Sequence, residues 1–158
     1  MELLGAFIGG FLGVVGAFAG VWLANRYDRE KQEREIRKSI SLQLYTEYQS
    51  PEMLKARILA REVFDRIREE EKSLILSEIW ETADFDESHS ISLLIVFLEK
   101  LGVYFNTNHL DKELAKQLVG RDFSYWYQNY ISELIKTSDK GQSDWARHII
   151  QANEWITS

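Results

Sequence analysis

The 158-residue chain has no cysteine, one proline and three histidines, and each shortage removes a class of function. Without cysteine there is no disulfide framework, no thiol nucleophile and no thiolate metal site. His89, His109 and His148 stand alone, with no histidine four residues on and no glutamate three residues before, so neither a zincin helix nor a di-iron bundle pattern occurs. Outside the N-terminal stretch glycine is confined to Gly102, Gly120 and Gly141, too sparse for a phosphate loop, a dinucleotide fingerprint or a nucleophile elbow. Asp86-Glu87-Ser88-His89 is the nearest approach to a metal-binding run, and it reads as polar loop meeting water. Strand alternation is absent and one proline suits helices, so the expected fold class is all-α. No catalytic residue, cofactor or metal ligand is expected. A membrane-tethered hydrolase would need a polar pocket holding a strongly perturbed carboxylate or histidine.

Charge is also missing where its absence matters most. Leu3 to Ala24 is an uncharged stretch of 22 residues in which eleven are Leu, Ile, Phe or Val. As a helix it reaches roughly 33 Å, slightly more than the roughly 30 Å hydrocarbon core of a bilayer. Residues 1–24 are therefore expected to form a transmembrane helix. A cleaved secretory leader is the competing reading, because Ala17-Phe18-Ala19 has the small-x-small form of a cleavage site. Against it, the chain opens with Glu2 and stays apolar well beyond the roughly 7 to 15 residues of such a leader.

Six Lys or Arg follow between Arg26 and Lys38 and none precedes the stretch, so the positive-inside bias places the N-terminus outside and the C-terminal portion in the cytoplasm. Trp22, Arg26, Tyr27 and Arg29 stand where the inner headgroups would lie. Six of the nine glycines fall within the stretch. Gly5, Gly9 and Gly13 are spaced by four, as are Gly16 and Gly20, and small residues at that spacing let two membrane helices approach closely. This glycine zipper predicts homo-oligomerisation; the plainer alternative is that glycine is common in membrane helices.

Residues 25–48 lack proline and glycine and alternate charge at helical spacing, as in Glu30 with Arg34 and Glu33 with Arg37, so the span is expected to continue as a basic stalk. Residues 26–38 carry six cations and four carboxylates, net +2, whereas residues 39–158 carry 13 against 20, net −7. An acidic domain is a poor binder of nucleic acid, so none is expected as a partner. Ile36, Ile40, Leu44 and Tyr48 form the stripe of a helix entering a core.

Residues 49–158 are expected to form a cytoplasmic helical domain, giving a bundle of about five to seven helices. Ser50-Pro51-Glu52 reads as a helix start, followed by an apolar stripe of Met53, Ala56, Ala60, Val63, Phe64 and Ile67. Lys55, Arg57, Arg61, Arg66 and Arg68 lie largely off that stripe and read as a solvated face, the alternative being a grip on lipid headgroups or an acidic partner. Ser73 is expected to cap a short helix carrying Leu74 to Trp80, and Asp84 to Ser90 to be a loop. Ile91 to Phe105 reads as the central helix rather than a second span, being short and containing Glu99 and Lys100. A turn at Asn106 to His109, a helix stopped by Gly120, an aromatic helix from Asp122, a turn at Ser138 to Ser143 and a last helix with Trp145, Ile149, Ala152, Trp155 and Ile156 complete the reading. The aromatic stripe Phe123, Trp126, Tyr127 and Tyr130 is assigned to the core rather than to stacking on a ligand.

In order of features the chain resembles a bacterial family of small membrane-anchored all-helical proteins, defined only as a domain of unknown function. The resemblance rests on the glycine-rich apolar N-terminus, the basic exit, Tyr48-Gln49-Ser50-Pro51-Glu52-Met53, Phe97-Leu98-Glu99-Lys100-Leu101-Gly102 and the Asp122 to Tyr130 aromatic helix. It implies architecture and brings no catalytic residue. The expectation is thus a single-pass protein of the bacterial inner membrane, self-associating through its span, with a cytoplasmic domain that binds an unidentified cytoplasmic or membrane protein. A membrane effector whose assembled spans permeabilise the bilayer is the alternative.

Overall fold

With neither proline nor glycine between Asn25 and Tyr48 to interrupt it, the first helix, α1 (Glu2–Tyr48), runs unbroken from the apolar leader through the charged stretch. The structure, a computed structural model, describes residues 2–70, 72–137 and 144–158, and the side-chain surroundings of these from Ala17 onward. By compactness the chain divides into residues 1–37 and residues 38–158, so the folded domain takes in the last turns of α1 as well as residues 49–158.

The second helix, α2 (Pro51–Glu69), begins as its sequence requires: Ser50 Oγ accepts from the Met53 amide at 3.1 Å, with Pro51 in the first turn. The short α3 (Leu76–Thr82) starts later than the sequence implies, and Ser73 does not cap it. Ile75 holds the cap position in extended conformation with no side-chain bond, while ahead of the helix Leu74 is buried. Its amide donates to Glu133 Oε1 at 3.0 Å and its carbonyl accepts from Thr137 Oγ1, so contacts distant in sequence replace the local cap.

The expected loop at Asp84 to Ser90 is instead the start of the central helix α4 (Phe85–Asn106). Asp84 and Glu87 form a reciprocal capping box: the Glu87 amide donates to Asp84 Oδ1 at 2.9 Å and the Asp84 amide to Glu87 Oε2 at 3.1 Å. The helix ends at Thr107, where Asn108 takes a left-handed φ of 59° that asparagine tolerates. α4 buries Ile91, Leu94, Phe97, Leu98, Leu101 and Phe105, and packs most closely on α2 and on the last helix, α7 (Asp144–Thr157).

Gly120 does not stop its helix. α5 (Lys112–Trp126), capped by Asp111, continues into a π-helical turn at Tyr127–Ile131 and then α6 (Ser132–Thr137). A Cβ on Gly120 would meet only ordinary contacts, with Lys116 Cγ at 3.4 Å and Ile156 Cγ2 at 3.5 Å, so the helix runs through this position without needing glycine there. The π turn is stabilised by side chains: Asn129 Nδ2 donates to the Tyr125 carbonyl at 2.7 Å, and Arg68 donates to the Asn129 carbonyl. Phe123, Trp126, Tyr130, Ile131, Leu134 and Ile135 are buried along this run, as a core stripe requires. The expected turn at Ser138 to Ser143 lies outside the described residues. Among the described residues the fold is all-helical, with no strand.

Candidate membrane interface and the clefts of the domain

In residues 1–37 the apolar side chains from Ala17 onward point into open space. Phe18 is 74% exposed, and Val21, Trp22, Leu23 and Tyr27 are likewise uncovered. At 100° per residue Phe18, Val21, Trp22 and Leu23 spread over more than half of the helix circumference, so one packed protein face would not cover them. In the same register Gly9, Gly13, Gly16 and Gly20 fall within an arc of about 60° opposite Phe18 and Trp22. Gly20 has nothing near the position of a Cβ. The surroundings of Gly5, Gly9, Gly13 and Gly16 lie outside the described side chains. The expected interface residues Trp22, Arg26, Tyr27 and Arg29 are all exposed, with the Arg26 guanidinium 5.8 Å from the Trp22 ring and its Nε donating to Glu30 Oε1 at 3.1 Å.

Among the described residues one helix, α4, has the length and apolarity to cross a membrane, and 44% of its apolar window is buried inside the domain. That burial against α2 and α7 gives it the place of a core helix.

Within residues 38–158 the basic face of α2 is solvated at Lys55, Arg61, Arg66 and Arg68, as the sequence implies, and largely covered at Arg57. All five cations meet carboxylates: Lys55 with Asp86 at 3.6 Å, Arg57 with Asp122 at 3.8 Å, Arg61 with Asp65 at 3.4 Å, Arg66 with Glu87 at 2.9 Å and Arg68 with Glu133 at 2.9 Å. The Arg66 fork is bidentate, donating to both Glu87 oxygens, and holds that carboxyl below the ordinary glutamate range. Glu133 is lowered as well, first by the Leu74 amide and then by Arg68. Arg68 also lies 4.9 Å from the Tyr130 ring, and Tyr130 Oη donates to Asp65 Oδ1 at 2.8 Å. Burial, more than these hydrogen bonds, pushes the Tyr130 hydroxyl well above its usual value.

Two depressions lie among the described residues of the domain. The larger, about 680 Å³, lies between the end of α2, the chain leading into α3 and the start of α4. Its floor is Ile67, Ile75 and Ile79, and its rim carries Glu70, Glu78, Glu81, Asp84 and Glu87 against Arg66 and Lys72. The smaller, about 230 Å³, lies between α2 and α5. Tyr48, Arg57, Asp122 and Trp126 line its depth, and Leu54, Ile58 and Tyr125 stand exposed around it. The sequence did contain a signal for this groove, because Leu54 and Ile58 are apolar yet fall off the core stripe of α2 and sit one turn apart among cations.

The three histidines lie on separate elements. His89 stacks at 6.2 Å on the exposed Phe85, His109 Nδ1 is 2.6 Å from Thr107 Oγ1, and His148 Nδ1 is buried without a hydrogen-bond partner. Among the described residues no three His, Asp or Glu side chains gather as metal ligands. The Asp86 to His89 run is helical, with Asp86 and Glu87 engaged by Lys55 and Arg66. The surface that stands out chemically is therefore apolar and helical rather than polar and convergent. Comparison with protein-family models, curated proteins and solved structures found no match to this chain.

Proposed function

We propose that this chain is a single-pass protein of the bacterial inner membrane. Its glycine-faced N-terminal helix self-associates in the bilayer, and its non-enzymatic helical domain binds a protein partner in the cytoplasm. The observation that carries the reading is the unbroken helix Glu2–Tyr48 whose described apolar residues, Phe18, Val21, Trp22 and Leu23, are uncovered on several sides. Left in water, each such side chain forgoes roughly 1.5 to 3 kcal/mol of burial, and lipid is the surrounding that covers a helix all round. The basic exit from Arg26 to Lys38 sets the N-out orientation, and Gly9, Gly13, Gly16 and Gly20 give the bare face along which a second copy fits. The resemblance to membrane-anchored helical proteins agrees with this architecture.

Because the natural chain has no cysteine, single cysteines report topology cleanly. In spheroplasts an impermeant maleimide is expected to label Glu2→Cys and to reach Ser158→Cys only after lysis. Labelling of Ser158→Cys alone, or protection of both, would reject the proposed orientation. Crosslinked oligomers are expected for the natural chain and to weaken in Gly13→Leu and Gly16→Leu. A collapse of membrane potential on expression, abolished by the same substitutions, would instead assign the assembled spans a permeabilising role.

A further inference from the structure

The cleft where α2, α3 and α4 meet is open because the chain between α2 and α3 is anchored on α6 instead of filling it. Leu74 is buried, its amide donates to Glu133 Oε1 at 3.0 Å and its carbonyl accepts from Thr137 Oγ1. The space left between the end of α2 and the start of α4 measures about 680 Å³, within the roughly 300 to 1,000 Å³ of sites that hold a ligand. Ile79, buried, and Ile67 and Ile75, half-buried, make its floor, and the two half-buried residues gain by being covered. Phe85, next to Asp84 on the rim, is 83% exposed and adds an apolar side chain at the edge.

Charge on the rim is one-sided. Five carboxylates face two cations, a net charge of −3. Both cations are already taken, Arg66 by Glu87 at 2.9 Å and Lys72 by Glu70 at 2.6 Å. Glu78, Glu81 and Asp84 are left with no cation within 4.0 Å among the described residues. Carboxylates that share a rim without counter-charge repel one another, and a cationic occupant relieves that repulsion. Anionic headgroups and nucleic acid would meet the opposite balance and be repelled. Nor do the carboxylates converge on a point, since among the described residues no three His, Asp or Glu side chains gather as metal ligands. Spread negative charge around an isoleucine floor matches an occupant that carries several cations beside an apolar group.

We propose that this cleft is the docking site for a basic segment of a partner protein, one in which Lys or Arg residues flank an apolar side chain. The apolar side chain covers Ile67 and Ile75, and the flanking cations reach Glu78, Glu81 and Asp84. The walls are held before any partner arrives, by the tie of Leu74 to α6 and by the Asp84 and Glu87 capping box with its bidentate Arg66, so binding does not have to order them. This proposal rests on the reading of the domain as the partner-binding half of the chain, and names its surface and chemistry.

The test uses the full chain in nanodiscs of zwitterionic lipid and a displayed library of random peptides about 16 residues long, enough to cross the cleft. Recovered peptides are expected to be basic with an embedded apolar residue, and to lose at least about tenfold in affinity for Glu78→Lys and for Glu81→Lys. Glu62→Lys, an equal change of charge on an exposed part of α2 outside the cleft, is expected to leave the affinity within about twofold. All three side chains are exposed, and unchanged circular dichroism verifies the fold. Recovery of acidic or uncharged peptides, an equal loss in Glu62→Lys, or no enrichment above empty nanodiscs would each overturn the proposal. So would spermidine binding that Glu81→Lys abolishes while no peptide is selected, since that assigns the cleft to a small cation. Photocrosslinking in cells separates the two layers. Protein adducts are expected from position 81; adducts from position 58 with none from position 81 reject the cleft and leave a partner-binding domain, whereas adducts from neither position reject both.

Discussion

Phe18 and Phe64 are the same side chain in long helices of one chain, yet Phe18 is 74% exposed and Phe64 is wholly buried. The difference lies in their neighbours. Around Phe64 the apolar residues Met53, Ala56, Ala60 and Val63 hold to one stripe, so a single packed surface buries them while Arg61, Arg66 and Arg68 remain outside. Around Phe18 the apolar residues Val21, Trp22 and Leu23 turn with the helix and leave no polar side for water. A stripe calls for a protein partner within the fold, and apolar residues spread over more than half of a circumference are not covered by one such partner. α1 makes the change within one element, since its last turns return to a stripe in which Leu44 and Tyr48 are buried.

The sharpest way to break this contrast is to truncate both phenylalanines. Phe64→Ala removes a fully buried ring and is expected to lower domain stability by about 3 to 5 kcal/mol, measured by denaturant unfolding. Phe18→Ala is expected to leave that unfolding free energy within about 0.5 kcal/mol. If Phe18→Ala destabilised the domain as much, the separation of the two regions would be wrong.

The glycines sharpen the contrast further. A Cβ on Gly102 would come 2.5 Å from the His148 carbonyl oxygen where α4 meets α7, so Gly102→Ala is expected to cost about 1 to 3 kcal/mol. Gly20→Ala meets open space and is expected to leave the thermal midpoint of the domain unchanged. At Gly102 glycine is thus required by helix contact within the chain, whereas at Gly20 no neighbour within the chain requires it.

A smaller effect is expected at the start of α2, where Ser50→Ala removes the Met53 cap and about 1 kcal/mol. The shallowest concerns acid. Glu87 and Glu133 are lowered in the folded state by hydrogen bonds from Arg66 and from the Leu74 amide respectively. Their contribution is therefore complete above the unfolded value of about 4.3 and is lost as pH falls through the lowered folded values. The thermal midpoint should decline below about pH 4, less steeply in Glu87→Gln, and the partial exposure of both groups keeps the slope small.

Much of this was legible in the order of residues. The Ser50-Pro51-Glu52 start, the α2 stripe and the identity of α4 as a core helix follow from local spacing and are found in the structure. The capping box at Asp84 and Glu87 is legible too, although the polarity of Asp84 to Ser90 favours a loop. Gly120 suggests a stop by its residue type, yet the helix continues through it with only ordinary contacts at its Cβ position, and Ser73 does not cap α3 because Glu133 and Thr137, distant in sequence, hold Leu74 outside the helix. The solvated face of Lys55, Arg61, Arg66 and Arg68 is legible in sequence, whereas the carboxylate partners of Lys55, Arg66 and Arg68 on α4 and α6 are visible only once the helices are packed. The groove at Leu54 and Ile58 follows the same logic: the residues are conspicuous in sequence, and their neighbours Asp122 and Tyr125 on α5 appear only in the fold.

Alkaline carbonate extraction of membranes from cells making the full chain tests the central claim most directly, because it strips peripheral proteins and leaves those whose helices cross the bilayer. The chain is predicted to remain wholly with the membrane pellet. Its release into the supernatant would contradict a retained span and return the uncovered apolar face of α1 to water or to a soluble partner.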